Sequence, residues 1–171
     1  MSHSVKLLLI VVAVLFLPFH LSHAEQKFTR SQVFGDWVLN CSKNDDPKVK
    51  AGESCVLQQK LLTEKGQKII QMTIGMDNSK KSLAAVLSLP LGFYIPDGVK
   101  ILIGSGSPQD LLVKTCFQTG CLGEIFIDRR MKKELSVGKS LKIIMVTGDR
   151  TKKLEFPMSL KGISEGLKSI K

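Results

Sequence analysis

Phe34-Gly35-Asp36-Trp37-Val38-Leu39-Asn40-Cys41 alternates apolar and polar side chains, and that two-residue period is what a half-buried β-strand requires. Ahead of it, residues 25–32 are polar and read as a loose leader. Behind it, residues 42–53 are rich in Lys, Asp, Asn, Pro and Gly and read as an exposed loop. Residues 54–62 form the next strand, and Glu64-Lys65-Gly66-Gln67 turns the chain into residues 68–74, which completes a hairpin. Residues 77–81 make another turn before the apolar run at 83–89. Pro96, Asp97 and Gly98 follow in turn order, then a strand at 99–103. Gly104-Ser105-Gly106-Ser107-Pro108 lacks the Gly-Lys-Ser/Thr ending of a phosphate-cradling loop and reads as a plain turn.

Residues 111–117 and 121–127 bracket the tight connection Gln118-Thr119-Gly120. Residues 128–135 read as a short helical segment with Asp128 as its N-cap, and residues 139–147 and 152–160 as closing strands. Ile163, Leu167 and Ile170 stand at helical spacing in the tail. Gly162 and Gly166 weaken that helix by about 1 kcal/mol each, so it needs docking to form. The sum is about nine short strands separated by turns, with almost no sustained helical period. The expected fold is therefore all-β: an antiparallel β-sandwich or barrel-like domain, with short helical turns near 128–135 and at the C-terminus.

Residues 1–24 carry the marks of a secretory signal peptide. Lys6 precedes the apolar run Leu7 to Leu17, and Ser22-His23-Ala24 places small residues at the positions a signal peptidase inspects. A membrane anchor needs about 20 apolar residues, and Pro18 and His20 interrupt the run first. Residues 25–171 are then one exported domain, destined for the periplasm, the outer surface or the medium. All three histidines (His3, His20, His23) lie in the leader, which removes Ser-His-Asp and Cys-His catalysis and the common zinc sets from the exported part.

The four cysteines, Cys41, Cys55, Cys116 and Cys121, are even in number, as disulfides in an exported protein require. Three pairings exist on paper, and proximity favours Cys41–Cys55 and Cys116–Cys121. On the chain-entropy account these contribute about 3 and about 2 kcal/mol. The Cys-x4-Cys spacing is not that of thiol oxidoreductases, so both bonds are expected to be structural.

Lys and Arg total 25 against 15 Asp and Glu, and Lys6 is the one charged residue of the leader, so residues 25–171 carry a formal net charge of +9. Export turns this basic balance away from nucleic acid and toward anionic lipids, acidic glycans or an acidic protein. The densest cluster is Arg129, Arg130, Lys132 and Lys133, a candidate anion- or partner-binding patch; Lys80-Lys81 and Arg150-Lys152-Lys153 are smaller. A solvated face is the plainer account of such runs. Asp36, Asp97, Glu124, Asp128 and Asp149 are carboxylates at strand ends, better read as turn formers and caps than as a catalytic pair. Trp37 is expected in the core rather than on a sugar-binding face with Tyr94. Asn40-Cys41-Ser42 fits a glycosylation acceptor formally, but its central cysteine is expected to be paired. No catalytic, cofactor or metal site is expected.

In order along the chain, Phe34-Gly35-Asp36-Trp37 with Cys41, Cys55, Leu89-Pro90-Leu91-Gly92, Ile95-Pro96-Asp97-Gly98-Val99, Cys116-Phe117-Gln118-Thr119-Gly120-Cys121 and Phe156-Pro157-Met158-Ser159-Leu160-Lys161-Gly162 resemble the invasion-associated locus B family of exported bacterial proteins. Ile163 departs from the aromatic residue usual there. The resemblance implies a small disulfide-stabilised β protein of the bacterial envelope or exterior, linked with invasion of host cells, red cells in particular. It brings no catalytic residues. The function expected is non-enzymatic binding of a host-cell surface or envelope component through the basic surface, with a periplasmic accessory or stress protein as the alternative and a histidine-free hydrolase as a distant third.

Overall fold

The computed structural model describes residues 28–43, 53–77 and 79–170. The signal-peptide reading and most of the expected loop at 42–53 lie outside the described residues. The described residues form ten strands: β1 (Arg30–Phe34), β2 (Trp37–Lys43), β3 (Glu53–Leu62), β4 (Lys68–Asp77), β5 (Ser82–Leu89), β6 (Val99–Ile103), β7 (Gln109–Phe117), β8 (Gly120–Ile127), β9 (Ser140–Val146) and β10 (Lys153–Ser159). Helix α1 (Arg129–Val137) stands between β8 and β9, and α2 (Ile163–Ser169) follows β10. The strands make one curled antiparallel sheet in the order β1-β2-β3-β4-β5-β8-β7-β6-β9-β10.

Alternation builds the core. Trp37, Leu39 and Cys41 of β2, Ile70, Met72 and Ile74 of β4, and Leu141, Ile143 and Met145 of β9 are buried at every second position. Met131 and Leu135 of α1 join the same cluster, with Ile163 and Leu167 of α2. The sheet thus curls around one apolar interior, and the two helices cover part of it.

Two sequence expectations change. The stretch from Phe34 to Cys41 is not one strand: Gly35 takes φ +56° and, with Asp36, turns the chain, so that Phe34 pairs with Trp37 in a β1–β2 hairpin. The polar leader is also partly strand, because β1 lies at the sheet edge and its side chains are exposed at all but one position. An edge strand with water on both faces has no apolar alternation to reveal it.

The two ends of the sheet meet without pairing as strands. The Asp36 amide donates to the Lys161 carbonyl at 3.0 Å, and the Trp37 indole Nε1–H donates to the Ser159 carbonyl at 3.0 Å. This seam makes the sheet barrel-like.

Candidate basic surface

Asp128 starts α1 as the sequence leads one to expect: its carboxylate accepts the Met131 amide at 2.7 Å. With Met131 and Leu135 turned into the core, Arg129, Arg130, Lys132 and Lys133 stand exposed on the other face. Arg130 leans on Glu134 at 3.7 Å, one turn along the helix. Arg129, Lys132 and Lys133 take part in none of the ion pairs among the described residues.

The fold brings a second cluster to the same end of the sheet. Leu83 pairs with Ile127, which sets the β4–β5 turn beside the strand end that leads into α1. The Lys80 ammonium lies 3.6 Å from the Phe126 ring centroid, two residues before Asp128. Lys80 thus stands at the end of the sheet from which the chain enters α1. The third cluster is elsewhere. Arg150 sits in the β9–β10 turn, 3.6 Å from Asp97 and 4.9 Å from the Tyr94 ring centroid. The seven residues of β9 separate this turn from α1, about 20 Å of strand.

Four of the five candidate carboxylates, all but Asp36, engage other partners. Asp97 faces Arg150, Glu124 faces Lys114 at 3.4 Å, and Asp128 caps α1. Asp149 organises its turn by accepting the Thr147 hydroxyl at 2.5 Å and the Thr151 amide at 3.1 Å, and the Thr147 bond in particular holds its pKa below the usual carboxylate range. Glu155 on β10 is drawn down to about 2, first by its bond from Lys142 and then by that from Lys153.

Cys41 is bonded to Cys55 and Cys116 to Cys121, and each pair sits directly opposite in register. Both are cross-strand staples of a hairpin or of adjacent strands, as proximity suggested. Glu53 lies close to Cys41 and Cys55, yet the two sulfurs are bonded to each other and offer no thiolate pair. The Arg30 guanidinium approaches Cys41 Sγ at 3.4 Å and pairs with Glu53 at 3.4 Å. Trp37 is fully buried, so it belongs to the core and not to a sugar-binding face.

A curled antiparallel sheet closed by a seam, stapled by two cross-strand disulfides and carrying a cationic helix at one end, defines a small disulfide-stabilised β protein. Residues 37–171 match the family described as Invasion associated locus B (IalB) protein. The chain belongs to that family. It is 25% identical over 144 residues to invasion protein B of Bartonella bacilliformis, covering 82% of this chain and 74% of that one. It is 23% identical over 143 residues to an invasion protein B homolog of Brucella abortus, covering 83% and 79% of the two chains. The crystal structure of invasion associated protein B from Bartonella henselae superposes with a TM-score of 0.72 at 20% identity, over 82% of this chain and 93% of that one. No helix among the described residues is long and apolar enough to cross a membrane.

Proposed function

We propose that this protein is exported, that it is a binding protein rather than an enzyme, and that it engages an anionic component of the host-cell surface, that of red cells first, through the cationic end of the sheet. The observation that carries this reading is the exposure of Arg129, Lys132 and Lys133 on α1 with no ion-pair partner among the described residues, at the end of the sheet where Lys80 packs on Phe126. Clustered cations left without counter-charges raise a local positive potential that draws anionic partners. Membership of an invasion-associated family supports the host-directed side of the reading, and the absence of histidine from residues 25–171 supports binding over catalysis.

Binding of the purified disulfide-bonded protein to intact red cells, measured across a salt series, tests this. Saturable binding that weakens with salt is expected, because exposed charges are screened within about 10 Å at 0.1 M ionic strength. Charge reversal at Arg129, Lys132 and Lys133 should reduce it further, by about tenfold or more, with the fold unchanged. Binding indifferent to salt and to the reversal removes the electrostatic mechanism. No binding at any salt, with recovery of the protein solely from the periplasmic fraction, replaces the reading with a periplasmic accessory role.

A further inference from the structure

We infer that this protein pairs with a second copy of itself through the outer face of β4, β5, β8 and β7. Residues directly opposite one another on antiparallel strands share a face, so the register lays out this surface. One row runs Thr73, Val86, Glu124, Leu112 across the four strands. Ser88 and Leu122 flank it on one side, Ala84 and Phe126 on the other. The core lies behind, yet Val86, Leu112, Leu122 and Phe126 are large, apolar and exposed, Leu112 at 60%. Apolar side chains left wet in adjoining positions mark a contact surface.

Charge singles out the occupant. Residues 25–171 carry 24 Lys and Arg against 15 Asp and Glu, a formal net charge of +9, so two copies repel over most of their surface. The eight positions just named hold one charged residue, Glu124, and Lys114 neutralises it at 3.4 Å. At the rim Lys80 lies over Phe126, and Asp77 offsets it. Like-charged copies therefore meet with least repulsion on this face. An anionic bilayer fits it less well: no excess cation is there to draw the lipid, and contact would press the Glu124–Lys114 pair into hydrocarbon.

The face also complements itself in shape. Where β4 and β5 bring the small residues Gly75 and Ala84 together, a hollow of about 220 Å³ opens, walled by Val56, Thr73, Met76 and Val86. Small-molecule sites run from about 300 to 1,000 Å³, so this one suits a single side chain. Leu112 stands in the same row as Val86, two strands away, which is about 10 Å. A prominent side chain and a hollow on one surface are what a two-fold contact uses, with Leu112 of each copy entering the hollow of the other. Four strands and about 20 Å of their length give roughly 400 Å². That is about half the 800 Å² per partner of a standard interface, so the dimer is weak and forms at high concentration.

The test is sedimentation of the purified disulfide-bonded protein from about 10 μM to about 1 mM, with amide chemical shifts followed on dilution. The average mass should climb from that of a monomer toward that of a dimer, and the dilution shifts should centre on Val86, Leu112, Glu124 and Phe126. Salt should strengthen the pairing, because it screens the repulsion between the two cationic copies. That is opposite in sign to the salt effect expected for binding through α1, so the two readings fail separately. Leu112→Glu should weaken self-association by about tenfold or more, although it lowers the net charge. Val137→Glu makes the same change of charge at an exposed residue of α1 and should pair as wild type does. A monomer throughout the range overturns the proposal, and if the same amides respond to phosphatidylglycerol vesicles instead, the face belongs to a membrane. Dilution shifts on another face overturn it too, as does a Leu112→Glu protein that pairs as tightly as wild type.

Discussion

Gly162 holds a backbone that no other residue can adopt without strain. Its φ is +86°, and a Cβ there would overlap the Phe34 carbonyl, because the chain leaving β10 presses against the β1–β2 turn. Gly166, one turn into α2, meets the Leu57 side chain, with Cδ1 2.5 Å from where its Cβ would be. Gly166 lowers the helical propensity of the tail, whereas Gly162, expected to do the same, lies outside α2 as its N-cap; both let the tail dock. Gly162→Ala is therefore expected to destabilise the protein by about 1–3 kcal/mol, combining left-handed strain with a backbone clash. Gly66→Ala is the matched control: φ is +76° but nothing lies within 4 Å of the added atom. Urea unfolding of the two variants separates the terms. An equal loss in both would mean that strain alone, and not the close approach at the seam, accounts for Gly162.

Among the elements, β10 ties its exposed surface together through Glu155, which accepts Lys142 of β9 at 2.8 Å and Lys153 at 2.9 Å. Its folded pKa is depressed from 4.5 to about 2, so the stability it contributes is fully present above the ordinary glutamate range and is lost as pH falls from there through about 2. Glu155→Gln should be less stable than wild type at neutral pH, with the gap closing across that window; a pH-independent gap in unfolding free energy would show that the two lysine bonds carry no net stabilisation. Most elements were legible before the structure because they obey a period. The β2, β4 and β9 strands alternate into one interior, and α1 announces itself through the Asp128 cap and the spacing of Met131 and Leu135. β1 was not legible, since both its faces are wet, and the Gly35-Asp36 turn hid inside a pattern that reads as continuous strand. The four cations of α1 were visible as a run; the placing of Lys80 over Phe126 was not, because it depends on β8 lying beside β5, a pairing that crosses over β6 and β7 in sequence. Gln59 sits at an inward position of β3 where the pattern expects an apolar residue, and only the fold shows why: its amide nitrogen donates to the Asp36 carbonyl of the β1–β2 turn at 3.2 Å.

For the molecule as a whole, closure is the decisive event. Ten strands in an open order leave two free edges, and such edges invite pairing with other chains unless something covers or joins them. Here the ends are held by the Asp36–Lys161 backbone bond and by the Trp37 indole reaching the Ser159 carbonyl, with α2 packed against β1, β2 and β3 beneath. Trp37 thus has two duties, a fully buried ring in the core and a hydrogen bond across the seam. Trp37→Phe keeps an aromatic ring and removes the N–H, leaving the Ser159 carbonyl without that donor. Losing the bond and unmasking the acceptor should cost about 1–3 kcal/mol, and the smaller ring adds a cavity term. The distinguishing readout is where the loss appears. If the indole bond closes the sheet, amide hydrogen exchange should accelerate first in β1, β10 and α2 while β4, β5 and β8 keep their protection. Uniform acceleration would mean that Trp37 acts only through the core, and that closure rests on the Asp36–Lys161 bond and the docking of α2.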